Sequence, residues 1–128
     1  MERRHPGYDV LIVDDDRDIR EMVATLLRRR FDNNNVVVAA NGADAIEKMR
    51  AGFRPTFVLT DVNMPHLDGL ALREWLQHVH PGTAVVGMSA APGAEDQFDG
   101  FLAKPFQFGD LTTCVSRWVR VHERSGVP

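Results

Sequence analysis

The chain has a single cysteine, Cys114, among its 128 residues. One cysteine excludes an internal disulfide and suits a reducing compartment, so we expect a cytoplasmic protein. The first residues are polar and do not resemble a secretory signal, and no apolar run approaches the roughly 20 residues that span a bilayer. We therefore expect no membrane partner.

A strong charge of one sign is also missing, because the formal net charge is -3. This balance gives no electrostatic reason to expect nucleic acid as a partner. Hydrophobic residues make up 44% of the chain and charged residues 26%, which is ordinary for a soluble globular protein. The length predicts one domain over residues 1–128, with a folded core over about residues 8–123.

Short apolar runs alternate with segments of helical periodicity, which is the pattern of repeated βα units around a parallel sheet. A loop is expected over residues 33–35. We predict strands over residues 10–13, 36–39, 57–60, 84–88 and 101–103. We predict helices over residues 17–30, after the Asn41-Gly42 turn, from near Asp68 until Pro81-Gly82 ends it, and from about 110 to 123.

Helical spacing also predicts which side chains face the core. Asp16 and Asp110 are expected to cap the first and last helices. The predicted core positions, helix by helix, are Ile19, Met22, Val23, Leu26 and Leu27; Ala43, Ile46 and Met49; Leu72, Trp75, Leu76 and Val79; and Leu111, Val115 and Trp118 with Val119 or His122.

Three of the predicted strands are followed by charged residues: Asp14 and Asp15 after the first, Asp61 after the third and Lys104 after the fifth. The carboxyl ends of parallel strands share one edge of a sheet, so these side chains are expected to meet. Two carboxylates about 4 Å apart repel by about 4 kcal/mol at an effective dielectric of 20, and three of them need a cation or a proton. Oxygen ligands, with a backbone carbonyl near Asn63, favour Mg²⁺ or Mn²⁺ over zinc.

These residues resemble the receiver domain of two-component response regulators, in particular the chemotaxis-regulator-like single-domain form. The resemblance rests on residues 11–16 (LIVDDD), 59–65 (LTDVNMP) with Asp68-Gly69 after them, Ser89-Ala90, and 104–106 (KPF). It implies a flavodoxin-like α/β fold, in which a doubly wound parallel sheet of five strands in the order 2-1-3-4-5 carries helices on both faces.

The resemblance also implies the role of each residue at the site. Asp61 is the expected phosphoacceptor, and Asp14 and Asp15 help to bind the divalent cation. Ser89 contacts the phosphoryl group through its hydroxyl, and Lys104 pairs with that group. The expected donor is a histidine kinase or a phosphotransfer protein, and the expected target is another protein. No enzymatic activity is expected beyond the domain's own phosphorylation and dephosphorylation.

A conformational switch is implied at Ser89 and Phe101. In the family, the hydroxyl moves toward the phosphoryl group while an aromatic residue of the fifth strand turns inward. Phe101 lacks the hydroxyl of the commoner tyrosine, so any switching there is expected to be a packing change alone. The alternative is that Phe101 is a fixed core aromatic.

The main departure from the family pattern lies between Ser89 and Phe101. Residues 90–100 include Pro92, Gly93 and Gly100, and short connections at both ends leave room for about one helical turn. We predict that the family's fourth helix is short or missing here, with at most one turn in residues 94–99 and greater mobility than in the other helices. A more open phosphorylation site is a further expectation.

Other interpretations stay open at this stage. A receiver-like adaptor that is never phosphorylated is the main alternative, although no site residue has been lost. An aspartate-nucleophile phosphohydrolase is less favoured, because Asn63 stands where its general acid would be. A flavin carrier is disfavoured by the acidic loop after the first strand. The chain is expected to be either a natural single-domain receiver or an excised piece.

Overall fold

The computed structural model describes residues 8–31 and 34–125, and the side chains of residues 9–31 and 35–118. Predictions for residue 33 and for the side chains of Val119 and His122 lie outside this part of the chain. The strands are β1 Tyr8–Val13, β2 Asn34–Ala39, β3 Phe57–Asp61, β4 Ala84–Ser89 and β5 Gly100–Ala103. The helices are α1 Arg17–Arg30, α2 Gly42–Arg50, α3 Gly69–Val79 and α4 Phe108–Ser125.

All the strand pairs are parallel, and the sheet order is β2-β1-β3-β4-β5. This order confirms the predicted fold. It places β1 and β3 side by side, with Val13 opposite Thr60. The residues that follow these two strands therefore emerge next to each other at the carboxyl edge of the sheet.

The sheet is buried on both faces, which explains why its central strands are continuous apolar runs. On one face, α1 and α4 pack Val23, Leu27, Leu111 and Val115 against the sheet. On the other face, α2 and α3 contribute Ile46, Met49, Leu72 and Leu76. The helices on the two faces hold the strands in place. The charged residues at the carboxyl edge are therefore attached to a close-packed core.

The segment between β4 and β5, residues 90–99, contains a single 3₁₀ turn at Glu95–Gln97. This confirms the prediction of at most one turn. Phe98 closes the core here, since it is 7% exposed and a Cβ added at Gly87 would come within 2.8 Å of its ring. Asp99 pairs with Val85 through two hydrogen bonds of 2.9 and 2.7 Å. One aromatic ring thus covers the sheet without a longer helix.

Of the two predicted helix caps, the cap of α1 is confirmed and the cap of α4 is not. Asp16 caps α1, as predicted, by accepting hydrogen bonds from the backbone N–H groups of Asp18 and Ile19. The prediction for Asp110 was wrong, because α4 already begins at Phe108. Asp110 lies in the first turn and accepts a hydrogen bond from the backbone N–H of Gln107 at 2.9 Å. Its carboxylate reaches back from inside the helix, as in a capping box.

Several predicted core positions are exposed. Met22 and Val79 are each 46% exposed, and Ala43 also faces solvent. These helices bury a narrower stripe against the sheet than the predicted sets, so one member of each of the first three sets is left outside. The predicted loop was also wrong in part, because Asn34 and Asn35 belong to β2, where they pair with β1. Strand pairing overrides the low β-propensity of asparagine.

Candidate functional site

The carboxyl edge of the sheet brings together the predicted charged residues. Carboxylate oxygens of Asp14, Asp15 and Asp61 all lie within 4.8 Å of one another. Among the described residues this is the one group of three or more acidic, histidine or cysteine side chains that could hold a metal ion. Lys104 joins it from the end of β5, with its Nζ 2.7 Å from Asp14 and 3.4 Å from Asp61.

Asp14 is the most firmly held member of the cluster. It is fully buried, and its Oδ1 accepts a hydrogen bond of 2.9 Å from the backbone N–H of Asp16. Its Oδ2 accepts the 2.7 Å bond from Lys104. Its backbone N–H donates to the carbonyl of Ala39 at 3.2 Å, across the end of β2. Both carboxylate oxygens therefore have fixed directions, which a buried charge requires.

The surroundings of Asp61 disfavour the charged form of its carboxyl group. Burial and the neighbouring charge of Asp14 raise its pKa to about 6, although Lys104 acts in the opposite direction. Burial is the larger of these causes, and the three carboxylates of the cluster also outnumber its single lysine. A bound cation or a proton would relieve this excess.

Lys104 is held by the same neighbours. Burial alone would lower its pKa, but the hydrogen bond and charge of Asp14 and the charge of Asp61 outweigh burial and raise it. Its backbone N–H donates to the carbonyl of Ser89 at 2.9 Å, which fixes the end of β5 against β4. The ammonium group is therefore charged at neutral pH and lies directly beside Asp61.

The donor set fits a hard divalent cation. All three side chains offer oxygen, and a divalent cation would neutralise the excess of carboxylates over the single lysine. Mg²⁺ and Mn²⁺ both suit carboxylate and water ligands. Asn63 lies two residues beyond Asp61 in the exposed start of the β3–α3 loop, and the ligand role of its carbonyl stays a prediction.

Ser89 is the last residue of β4, and Phe101 lies in β5 opposite Gly87. Ser89 is 5% exposed, and its Oγ accepts a hydrogen bond from the backbone N–H of Ala91 at 3.0 Å. Phe101 is half-buried, and the centroid of its ring lies 6.5 Å from the ring centroid of Phe98.

Gly69 is required where α3 begins beneath Asp61. A Cβ at this position would lie 2.5 Å from the carbonyl oxygen of Asp61. We expect Gly69→Ala to lower the free energy of unfolding by about 2 kcal/mol, because the backbone of β3 or of α3 has to move. Denaturant titration measures this. Gly82→Ala is the matched control, since a Cβ there meets nothing within 4 Å. Equal losses in the two variants would contradict the explanation.

The sequence analysis missed Arg20. Its Nη1 donates a hydrogen bond of 2.9 Å to the backbone carbonyl of Asp14. The position carries a signal in retrospect, because Arg20 lies four residues after the cap Asp16. Side chains of a helix lean toward its N-terminus, and so this one points back to the turn that holds the cluster.

Fold and site together define a class of protein: a flavodoxin-like α/β domain with an acidic cluster and a lysine at the carboxyl edge of its sheet. Residues 10–116 match the response regulator receiver domain. The chain belongs to this family. No helix in the described part of the chain is long and apolar enough to cross a membrane.

Curated relatives agree with this assignment. The chain is 31% identical over 134 residues to the probable transcriptional regulatory protein TcrX of Mycobacterium tuberculosis, covering 98% of this chain and 55% of TcrX. It is 29% identical over 128 residues to protein PilG of Pseudomonas aeruginosa, covering 93% of each. The chain thus spans about half the length of one relative and nearly all of the other.

Solved structures show the same fold. The chemotaxis response regulator CheY4 of Vibrio cholerae has a TM-score of 0.77 at 26% identity, covering 88% of this chain and 98% of that one. An uncharacterized protein from Neptuniibacter caesariensis has a TM-score of 0.82 at 23% identity, covering 92% and 91%. The second likeness concerns the fold alone.

Proposed function

We propose that Asp61 accepts a phosphoryl group from a histidine kinase or a phosphotransfer protein, in a reaction that depends on Mg²⁺. The observation that carries the proposal is the position of Lys104, whose ammonium group lies between Asp14 and Asp61 beside three clustered carboxylates. Phosphoryl transfer needs positive charge around the transferred oxygens and an anionic nucleophile, and this edge of the sheet offers both.

Asp61 acts as the nucleophile in this proposal. A pKa of about 6 leaves its carboxylate ionised at neutral pH, even without a metal. One carboxylate oxygen forms a bond to phosphorus while the bond from phosphorus to the donor breaks, and the donor leaves with that electron pair. The product is an aspartyl phosphate on Asp61.

Lys104 and Ser89 receive the incoming group. The Lys104 ammonium, 3.4 Å from Asp61 Oδ1, can donate to a phosphoryl oxygen after attack. The Ser89 hydroxyl, whose oxygen accepts one bond from Ala91, keeps its own proton free to donate. Both groups spread the negative charge that develops on the transferred oxygens.

Mg²⁺ would be held by Asp14, Asp15 and Asp61 with the backbone carbonyl of Asn63, and Mn²⁺ would suit the same ligands. When bound, the ion would neutralise charge and orient the phosphoryl oxygens. Asp14 is held for this by its bonds to Asp16 and Lys104. The protein's own residues thus prepare the arrangement before the donor arrives.

The output of phosphorylation is proposed to run through Ser89 and Phe101 to a protein partner. Movement of the Ser89 hydroxyl toward the phosphoryl group would free space beside Phe101, whose ring already contacts Phe98. The surface of β5 and the β4–β5 segment would then change. We propose a cytoplasmic location, where an ATP-dependent kinase can supply the phosphoryl group, and no activity beyond the domain's own phosphorylation and dephosphorylation.

Intact-mass analysis with acetyl phosphate tests the proposal. We expect wild-type protein to gain one phosphoryl group in the presence of Mg²⁺ and none in its absence. Asp61→Asn should gain none, because an amide is not a competent nucleophile. Asp96→Asn, which removes an exposed carboxylate from the β4–β5 segment, is the matched control and should behave as wild type.

Two results would contradict the proposal. One is equal uptake by wild type and Asp61→Asn, which would place the phosphoryl group elsewhere. The other is no uptake by wild type although Mg²⁺ binds, in samples quenched over a time series short enough to catch rapid hydrolysis. That second result would favour an adaptor that is never phosphorylated.

A further inference from the structure

Arg20 is bound to the turn that carries two of the three clustered carboxylates. Its backbone N–H donates to the carbonyl of Asp16 at 3.0 Å, which is the first hydrogen bond of α1. Its guanidinium then folds back, and Nη1 donates to the carbonyl of Asp14 at 2.9 Å. One residue thus closes the turn from both its main chain and its side chain.

The carbonyl that Arg20 binds belongs to the peptide unit between Asp14 and Asp15. The Asp14 carboxylate is fixed by its own hydrogen bonds, and Asp61 is fixed by Lys104. Asp15 differs, since it is exposed and its carboxylate receives no hydrogen bond from the described residues. The direction of the Asp15 side chain therefore depends on the orientation of its backbone.

The charge of the guanidinium also acts on Asp44. The carboxylate of Asp44 accepts the backbone N–H of Ala40 at 3.1 Å and pairs with Lys48 at 3.0 Å. Burial alone would raise the pKa of Asp44, but these partners lower it, and the charge of Arg20 adds to the lowering. Arg20 thus binds the β1–α1 turn directly and affects the start of α2 through its charge alone.

We propose that Arg20 is a positioning residue for the metal site: by holding the peptide unit after Asp14, it directs the Asp15 carboxylate toward Asp61. The inference rests on the proposed function, in that it assigns a role within the same Mg²⁺ site. Arg20 touches neither the ion nor the phosphoryl group in this account. It acts through the backbone of Asp14.

An electrostatic role and a positioning role of Arg20 predict opposite effects of its removal on Mg²⁺ affinity. A cation beside the cluster repels Mg²⁺, so the loss of its charge alone would tighten Mg²⁺ binding. The loss of its hydrogen bond releases the Asp14–Asp15 peptide unit and would weaken binding. Residues that orient metal ligands typically change affinity 10- to 100-fold when removed. The sign of the change therefore distinguishes a positioning role from an electrostatic one.

The experiment is a calorimetric titration of the metal-free full chain with MgCl₂, at constant ionic strength. We expect Arg20→Ala to raise the dissociation constant about tenfold. Arg17→Ala removes the same charge from the exposed first residue of α1 and should leave the constant unchanged or slightly lower it. Arg20→Lys keeps the charge and loses the planar fork, and it should lie between wild type and Arg20→Ala.

A second readout separates positioning from general destabilisation. At saturating Mg²⁺, the rate of phosphoryl uptake by Arg20→Ala should return to near wild type, whereas at low Mg²⁺ it should fall with the occupancy of the site. A variant that is merely less stable would lose uptake at both concentrations. If Arg20→Ala does not fold, Arg20→Lys decides, since unchanged Mg²⁺ binding in that variant overturns the proposal.

Mg²⁺ binding by Arg20→Ala and by wild type also tests the positioning role of Arg20. Equal or tighter Mg²⁺ binding by Arg20→Ala overturns the positioning role, as does a wild type that binds no Mg²⁺. A wild type that binds Mg²⁺ but takes up no phosphoryl group would overturn the proposed function alone. The order of the Mg²⁺ dissociation constants among the variants would still support or refute the role of Arg20.

Discussion

Lys104→Ala is expected to lower the free energy of unfolding of the metal-free protein by about 3 kcal/mol. The substitution leaves the fully buried Asp14 carboxylate without its 2.7 Å partner, and it removes the cation nearest to Asp61. Loss of one partner of a buried pair typically costs about 3–5 kcal/mol. Lys104 keeps 15% of its side chain exposed, which places the expected loss at the lower end.

Denaturant titration in EDTA measures this loss, and Lys48→Ala is the matched control. Lys48 pairs with Asp44 four residues earlier on α2, but both side chains are more than a third exposed. Such pairs contribute about 0.3–0.5 kcal/mol. Added Mg²⁺ should restore part of the stability of Lys104→Ala, because a divalent cation replaces the missing positive charge. A loss no larger than that of Lys48→Ala would contradict this account of the cluster.

Lys104→Ala should also separate phosphorylation from response. Asp61 keeps its nucleophilic carboxylate, so some phosphoryl uptake should remain. The ammonium that would pair with the new group is gone, so the conformational change at Ser89 and Phe101 should be blunted. Hydrogen exchange of the β4–β5 segment before and after phosphorylation measures it. Equal responses in wild type and variant would refute this part.

Asp61→Asn is expected to stabilise the metal-free protein at neutral pH. The pKa of Asp61 rises from 3.8 to about 6 on folding, since burial and Asp14 disfavour the charged form. Below pH 3.8 the group is neutral in both states and has no effect on stability. As the pH rises from 3.8 to about 6, the unfolded state ionises first, and stability is lost on the order of 3 kcal/mol. Above this window the loss is constant.

The asparagine variant lacks this penalty, so its free energy of unfolding at pH 7 in EDTA should exceed that of wild type by about 2–3 kcal/mol. The difference should shrink to less than about 1 kcal/mol at pH 4. Saturating Mg²⁺ should also shrink it, because ion binding stabilises wild type more than the variant. Denaturant titrations at pH 4, 5, 6 and 7 measure the trend. A difference that does not vary with pH would show that Asp61 titrates normally in the folded protein.

The sequence predicted which residues come together where a rule of sheet topology applies. The residues that follow parallel strands must gather at one edge of the sheet, so the meeting of Asp14, Asp61 and Lys104 could be predicted without coordinates. Residues 90–99 could likewise be predicted to lack a long helix, since their number and their Pro92-Gly93 pair leave too little chain. Both predictions follow from connectivity and chain length.

The boundaries and faces of the helices were less predictable. Asp110 looked like a cap, yet α4 starts at Phe108 and the carboxylate serves Gln107 from inside the first turn. Met22 and Val79 fit an apolar stripe but lie outside it. The spacing of apolar residues gives the direction of a helix face, whereas packing against the sheet decides how wide the buried part is.

The sequence by itself determined which residues meet at the acidic cluster, because a repeated βα pattern brings the residues that follow parallel strands to one edge of the sheet. The family and the strand order were implied by the resemblance of its motifs to receiver domains. Only the tertiary structure decided how that cluster is supported. Phe98 covers Gly87 in place of a helix, and Arg20 reaches back to the carbonyl of Asp14. Both contacts depend on the three-dimensional placement of side chains, which the periodicity of the sequence does not encode.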